Sequence, residues 1–265
     1  MPLRHLFTLC VALLVAAGLA PAASAQTDIA IGFRPSAPYV IRATDGTLSG
    51  LEYELVTLAA STAGMKVRPV VAPFARLPED FRRGSLQAFV PANPAMRLPG
   101  CISDTVLAYR NMAFSLQRRN LDIVTPADLT AFDVTAFQNA HVLLGPTVGA
   151  LAPNAGRYRE VANQMLQVRA LFSGRTDVVL AERRIFRYMM RSPEAGVDTA
   201  QPLAEHDIFL ATLYGVAFQR QEDCISFNRG LAAIRRNGRY DEVLRRWDTA
   251  PRAKSGAVPV VKSAG

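Results

Sequence analysis

The stretch Leu171-Phe-Ser-Gly-Arg-Thr-Asp-Val-Val-Leu-Ala-Glu182 sets the tightest limit on how this chain folds. An apolar helix end stops at Gly174, a short apolar strand runs from Val178 to Leu180, and Glu182 stands just past it. A strand this apolar is covered on both faces, the condition of a parallel sheet flanked by helices. In open α/β sheets ligands bind beyond the carboxyl ends of such strands, where Glu182 falls. The same pattern occurs earlier in Phe81-Arg-Arg-Gly-Ser-Leu-Gln-Ala-Phe-Val90, and there Asn93 and Arg97 follow. Two copies of one unit, one trailed by an acid and the other by a base, predict two similar α/β lobes facing each other across a cleft. Such a cleft suits something small and polar.

At 265 residues, half of them apolar, the chain can bury the core of one large domain or two small ones. Its N-terminus reads differently from the rest. Arg4 and His5 precede a charge-free apolar run from Leu6 to Leu19, followed by Pro21 and then Ala23-Ser24-Ala25. This is the composition of an export leader, cleaved after Ala25, and the run is shorter than the ~20 residues that a membrane-spanning helix needs. Cys10 lies inside the run, so no lipid anchor is expected through it. The mature chain is expected free in solution.

Export to an oxidising compartment leaves Cys101 and Cys224, an even number, and predicts one disulfide between them. The alternative is two buried free thiols. Of 30 basic and 22 acidic residues the leader removes only Arg4, leaving 29 against 22, or +7. A basic chain can serve nucleic acid, an acidic partner or an anionic membrane surface. Here the arginines are scattered in pairs such as Arg82-Arg83, Arg183-Arg184 and Arg245-Arg246, with no basic block interleaved with aromatics. With export, this argues against a nucleic-acid partner and for solvated faces.

Ile29 to Phe33 alternates and stops before Pro35, a first strand. Leu51, Leu55, Leu58, Ala59 and Thr62 recur at helical spacing between Gly50 and Gly64, and Met65 to Val71 resumes strand character. A short helix from Leu77 to Arg83 and a strand from Leu86 to Val90 complete the second unit. Thr105 to Leu116 is long and extended, and carries the chain out of lobe one. Lobe two then reads as strand Phe132 to Phe137, a helix from Ala140, a strand-poor stretch from Pro153 to Arg159, helix Val161 to Phe172, strand Val178 to Leu180 and helix Arg183 to Met190. Leu213 to Phe218 is a return strand antiparallel to the outgoing one, and Cys224 to Trp247 holds two helices broken at Asn237-Gly238. The predicted division is lobe one at 26–109 plus 216–250, lobe two at 110–215, and a disordered tail at 251–265 rich in Pro, Ala, Gly, Lys and Ser.

The order of several short motifs resembles the type-3 family of extracytoplasmic solute-binding proteins. Gly46-Thr-Leu-Ser-Gly-Leu-Glu-Tyr-Glu-Leu55 is similar to the family's G-x-L-x-G-[FL]-[DE]-x-[DE]-L, and a helix-glycine-strand unit with a following arginine and then Asp128-Leu129 come after it. Ser173 to Val179 (S-G-R-x-D-V-V), Phe227 to Leu231 (F-N-x-x-L) and Gly238 to Val243 (G-x-Y-x-x-[IV]) keep the family's order and spacing over nearly all of the mature chain. Ala136-Phe-Gln-Asn-Ala140 resembles a divergent branch.

The resemblance implies an α/β, two-lobed periplasmic-binding-protein fold of type II, its lobes joined by two crossover strands. It also implies a monomer without cofactor or enzymatic activity, closing on a small polar solute, most often an amino acid, and presenting the closed form to the membrane permease of an ABC-type importer. By this resemblance Arg97 clamps a ligand carboxylate, Glu182 takes its ammonium, and Tyr39 walls the cleft while Phe33 packs in the core. Two departures stand out: Ala92, Asn93 and Pro94 replace the usual hydroxyl residues before the arginine, and Asn139-Ala140-His141 replaces the Gly-Thr-Thr helix start.

The residues themselves add chemistry to these positions. A guanidinium such as that of Arg97 matches a carboxylate bidentately, although a surface arginine needs no ligand. Asn93 follows the lobe-one strand beside it. Glu182 could instead pair with neighbouring Arg183. Gln138 and Asn139 fall at a helix start, where free N–H groups favour an anion, and Asn139 could also simply cap that helix. Glu52 and Glu54 read as first-turn acids favoured by the helix dipole.

After the leader only His141 and His206 remain, without metal-ligand spacing, which gives metallohydrolase or triad chemistry little support. Two other readings stay open on the same fold. One is a periplasmic dehydratase of prephenate or arogenate, with Glu182 as general acid if burial raises its pKa. The other is a ligand sensor working through a partner.

Overall fold

The computed structural model describes residues 27–153 and 156–249. The expected leader at 1–25 and the tail at 251–265 lie outside the described residues.

The first lobe comprises β1 (Thr27–Phe33), β2 (Ile41–Arg42), β3 (Leu48–Ser49), α1 (Leu51–Thr62), β4 (Met65–Val71), α2 (Leu77–Arg82), β5 (Ala88–Ala92), β6 (Cys101–Ile102) and β7 (Leu107–Tyr109). The second follows with β8 (Asn111–Leu116), β9 (Val134–Phe137), α3 (Ala140–Leu143), α4 (Pro146–Gly149), β10 (Tyr158–Val161), α5 (Met165–Phe172), β11 (Val178–Glu182), α6 (Arg183–Met190) and β12 (Leu203–His206). The chain then returns through β13 (Thr212–Phe218) and ends in α7 (Gln221–Arg236) and α8 (Arg239–Thr249).

Lobe one is built on the sheet β4-β1-β5-β13-β6, with β7 paired to β13, and lobe two on the sheet β10-β9-β11-β8-β12. In each, the parallel strands are those flanked by helical crossovers, and the strand by which the chain enters from the other lobe, β8 in lobe two and β13 in lobe one, runs antiparallel to them. The registers fix how the lobes meet. β8 enters lobe two with Asn111 opposite Glu182, the last residue of β11, and β12 leaves with His206 opposite Ala113 of β8. On the other side β13 enters with Gly215 opposite Ala92, the last residue of β5. Both connections therefore run between the carboxyl edges of the two sheets, and these edges face each other.

The two edge strands of the second sheet are the elements least visible in the sequence. Pro153 to Arg159 reads as strand-poor, yet β10 begins at Tyr158 and pairs in parallel with β9 through Tyr158↔Val134 to Val161↔Phe137. Its Tyr-Arg-Glu-Val, like the Leu-Ala-Glu-His of β12, lacks the continuous apolar run of a central strand. An edge strand has a neighbour on one side only, so tertiary pairing defines it more than composition does.

Each sheet is covered on both faces by apolar clusters. α1 illustrates how. Leu51, Leu55, Val56, Ala59 and Ala60 form its buried stripe, and burying such a leucine or valine contributes about 1.5–3 kcal/mol. Its first N–H groups are capped by main chain: Leu51 donates to the Pro38 carbonyl at 2.9 Å and Glu52 to the Tyr39 carbonyl at 3.0 Å. Gly50 permits that approach, because a Cβ there would lie 2.3 Å from the Tyr39 carbonyl oxygen. α7 crosses α1 at Gly230, where a Cβ would meet the Ala59 carbonyl oxygen at 2.1 Å. A disulfide links Cys101 of β6 to Cys224 of α7, with Cα atoms 6.2 Å apart.

Candidate functional site

In lobe one, Arg34 follows β1 and Asn93 follows β5, two paired strands with Phe33 opposite Val90. The Arg34 guanidinium lies 5.6 Å from the centre of the Phe74 ring. Arg34 Nε and Asn93 Oδ1 are both buried and have no hydrogen-bond partner among the described residues. A buried polar atom left unpaired costs about 1–3 kcal/mol, so two at one strand edge mark a place where a ligand's polar groups are wanted. Arg97 comes just after a 3-10 turn at Pro94–Met96, exposed and in the left-handed region at φ 48°.

In lobe two, Gln138 and Asn139 are exposed where β9 ends. The N–H groups beyond them are not free. Glu160 of the edge strand β10 accepts from the Asn139 N–H at 2.7 Å, the His141 N–H at 2.8 Å and the Tyr158 hydroxyl at 2.8 Å, and it pairs with His141 Nδ1 at 2.8 Å. The chain thus supplies its own carboxylate at this helix start. Asn139 adopts φ 65° and makes no side-chain cap. The four donors hold the Glu160 carboxyl below its usual range in spite of its partial burial.

Glu182 ends β11 and caps α6. Its Oε2 accepts from the Ile185 N–H at 2.9 Å and its Oε1 from the Arg110 N–H, on the outgoing connection, at 3.3 Å. It does not pair with Arg183, which lies 3.2 Å from Glu205 instead. Burial raises its pKa against these stabilising hydrogen bonds. Beside it Tyr39 is fully buried, stacked on Tyr109 with ring centres 4.2 Å apart, and Tyr109 meets Tyr214 edge-on at 4.8 Å. The outgoing and return strands are therefore joined through aromatic rings. Tyr109 also donates to Glu52 Oε1 at 3.2 Å, and burial pushes the Glu52 carboxyl up to about 7.

The expected residues thus divide. Asn93 and Arg97 of lobe one and Gln138, Asn139 and Glu182 of lobe two follow strands whose carboxyl edges face each other, whereas Tyr39 is sealed beneath that edge. Sequence reasoning missed Arg34, although its place directly after a parallel strand is the same signal that singled out Glu182. It also assigned Glu52 to the dipole, while Val56 and Ala59, at i+4 and i+7, already place it on the buried stripe.

The lobes also enclose a cavity of about 600 Å³ beside the connections, between α6 and α8. Of the six expected residues only Glu182 lines it. α6 is the part of lobe two that reaches lobe one, since Ile185 belongs to the lobe-one core cluster. Among the described residues no group of three or more His, Cys, Asp or Glu is placed to hold a metal ion, and no helix is long and apolar enough to cross a membrane.

No family model matches the sequence, and no curated protein does. Solved structures do match. A histidine kinase sensor domain with similarity to periplasmic binding proteins is 19% identical with a TM-score of 0.63, over 84% of this chain and 96% of that one. An amino acid ABC transporter substrate-binding protein from Streptococcus pneumoniae, bound to L-arginine, is 15% identical with a TM-score of 0.61, over 86% and 97%. An ancestral amino-acid-binding protein described as a precursor of cyclohexadienyl dehydratase is 16% identical with a TM-score of 0.60, over 83% and 94%. The chain has the two-lobed α/β fold of periplasmic solute-binding proteins.

Proposed function

We propose that this protein captures a small polar solute, such as an amino acid, between the carboxyl edges of its two sheets, and closes on it by hinge motion about the two connections. The observation that carries this reading is the pair of unpaired buried polar atoms, Arg34 Nε and Asn93 Oδ1, at the ends of adjacent strands on the edge that faces lobe two. Arg97 on the same edge supplies a guanidinium for a carboxylate, and the exposed amides of Gln138 and Asn139 supply polar contacts from lobe two. Glu182 acts at the junction, where its carboxylate fixes the start of α6 to the outgoing connection. In this reading the mature chain begins at Gln26, works in the periplasm as a monomer, and hands its solute to the permease of an ABC-type importer. The binding-protein neighbours support that role by fold.

Binding fits the geometry better than catalysis. The one acid at the strand edge with a raised pKa, Glu182, has both oxygens engaged by backbone N–H groups, which leaves it poorly placed to deliver a proton to a substrate. A dehydratase reading is favoured only by the likeness to a dehydratase precursor, and a sensor reading only by the likeness to a kinase sensor domain.

The test is a thermal-shift titration of protein stripped of solute by unfolding and refolding, against amino acids, polyamines, organic acids and prephenate. A solute present at a hundred times its dissociation constant stabilises the fold by about 2.7 kcal/mol. An upward shift with a zwitterionic amino acid, reduced in Arg97→Ala and Asn93→Ala, is the expected result. Conversion of prephenate to product would replace this reading with the enzymatic one.

A further inference from the structure

The cavity between α6 and α8 differs from the strand-edge gap in position and in chemistry. Six arginines line it, Arg110, Arg183, Arg184, Arg187, Arg191 and Arg246, against three acids, Glu54, Glu182 and Asp248. The spacing explains the excess: Arg183 and Arg187 stand at i and i+4 on α6, Arg191 follows at its C-cap, and Arg184 and Tyr188 extend the same broad face.

The acids are already engaged. Glu54 pairs with Arg246, Asp248 pairs with Arg184 at 3.3 Å, and Glu182 accepts from main-chain N–H groups. Behind α6, Glu205 serves both Arg183, at 3.2 Å, and Arg187, at 2.7 Å. Two guanidinium groups share one carboxylate, so their charge is not fully compensated.

The facing wall is apolar and aromatic, with Tyr240, Leu244 and Trp247 from α8 and Ile41 and Leu107 from lobe one. The Trp247 indole Nε1 is buried and has no acceptor among the described residues. Arg110 also pairs with Asp207, at 3.0 Å. The Trp247 indole N–H offers only a donor, and Arg183 and Arg187 share Glu205, so a ligand suited to this place brings acceptors, negative charge and an apolar body. A cavity of about 600 Å³ has room for a small molecule of that kind.

We propose that this cavity is a second binding site, selective for an organic carboxylate with an apolar body. The carboxylate meets the α6 arginines and the Trp247 N–H, and the body lies against Leu244 and Tyr240. Because α6 belongs to lobe two and α8 to lobe one, an occupant touches both lobes and favours one spacing of the hinge over others. The site thereby tunes how readily the strand-edge gap opens.

Trp247 is the sole tryptophan of the chain, so its emission reads the cavity directly. The purified protein is titrated with 4-methyl-2-oxopentanoate and with octanoate, and with the neutral 4-methylpentanamide as control. The expected result is a saturable emission change with a carboxylate and none with the amide, weakening as ionic strength rises. The Arg184→Gln/Arg187→Gln variant, its fold checked by circular dichroism, should lose about tenfold or more in affinity. Asn93→Ala, which alters only the strand-edge gap, should leave the titration unchanged. A flat titration with both carboxylates, an equal response to the amide, or unchanged affinity in the arginine variant overturns the proposal. Loss of the response in Asn93→Ala also overturns it, because the carboxylate would then be entering the strand-edge gap. Failure here leaves solute capture standing, since the two sites are read by different variants.

Discussion

The Tyr109 hydroxyl donates to Glu52 Oε1 at 3.2 Å and so ties the outgoing connection between the lobes to the opening turn of α1. Glu52 is 1% exposed, and burial outweighs both Arg34 and this hydrogen bond in setting its pKa.

A pH dependence follows. The carboxyl titrates at about 7 in the folded protein against an ordinary value of 4.5. Between these values the folded state keeps a proton that the unfolded state has released, so this group's contribution to stability is full below 4.5 and is lost as pH rises through 7. Glu52→Gln removes the titration while keeping an acceptor for Tyr109. Urea denaturation across that window should show the unmodified protein losing about 3 kcal/mol more than Glu52→Gln. Parallel pH profiles for the two proteins would contradict the assignment.

Glu182 and Arg97 should separate stability from binding. Glu182→Ala removes the cap of α6, and should cost about 1–2 kcal/mol in denaturation without solute. Arg97→Ala, at an exposed position, should change stability by less than about 0.5 kcal/mol yet weaken solute binding by about 1.5–3 kcal/mol through loss of a charge-assisted contact. Unchanged affinity in Arg97→Ala would remove it from the site.

The disulfide should matter to lobe one. Cys101 and Cys224 are 123 residues apart in sequence, and the whole of lobe two lies between them. The Cys101→Ser/Cys224→Ser double variant should lose about 2–5 kcal/mol by urea denaturation under non-reducing conditions. A reductant should bring the unmodified protein down to the same midpoint.

Gly230→Ala tests the closest helix contact. The added methyl would press on the Ala59 carbonyl oxygen from α7, so α1 and α7 must separate. A destabilisation of about 1–3 kcal/mol is expected in thermal or urea unfolding, and a neutral result would show that the helices shift freely.

Much of this architecture was legible in the sequence because it rests on local signals. Gly50, Gly64 and Gly174 bound helices whose apolar spacing is regular, and the central strands β5 and β11 are continuous apolar runs. The edge strands β10 and β12 were not legible, since pairing with β9 and β8 creates them. At the site, position along a strand identified Glu182, but which hydrogen bonds it makes depends on Arg110, brought beside it by the antiparallel entry of β8. Glu160 was hidden for the same reason: its partners Asn139 and His141 lie about one strand-helix unit away and meet it only through the β9–β10 pairing. The cation-lined cavity joins α6 to α8, far apart in sequence, and the pattern of scattered arginine pairs carried no sign of it.

Solute capture of this kind requires the lobes to close on a solute held between the facing sheet edges. Small-angle X-ray scattering of stripped protein, before and after saturation with the solute found by thermal shift, tests it most directly. A smaller radius of gyration is expected with solute bound, and no such contraction in Arg97→Ala at the same solute concentration. Saturable binding with unchanged dimensions would contradict hinge closure.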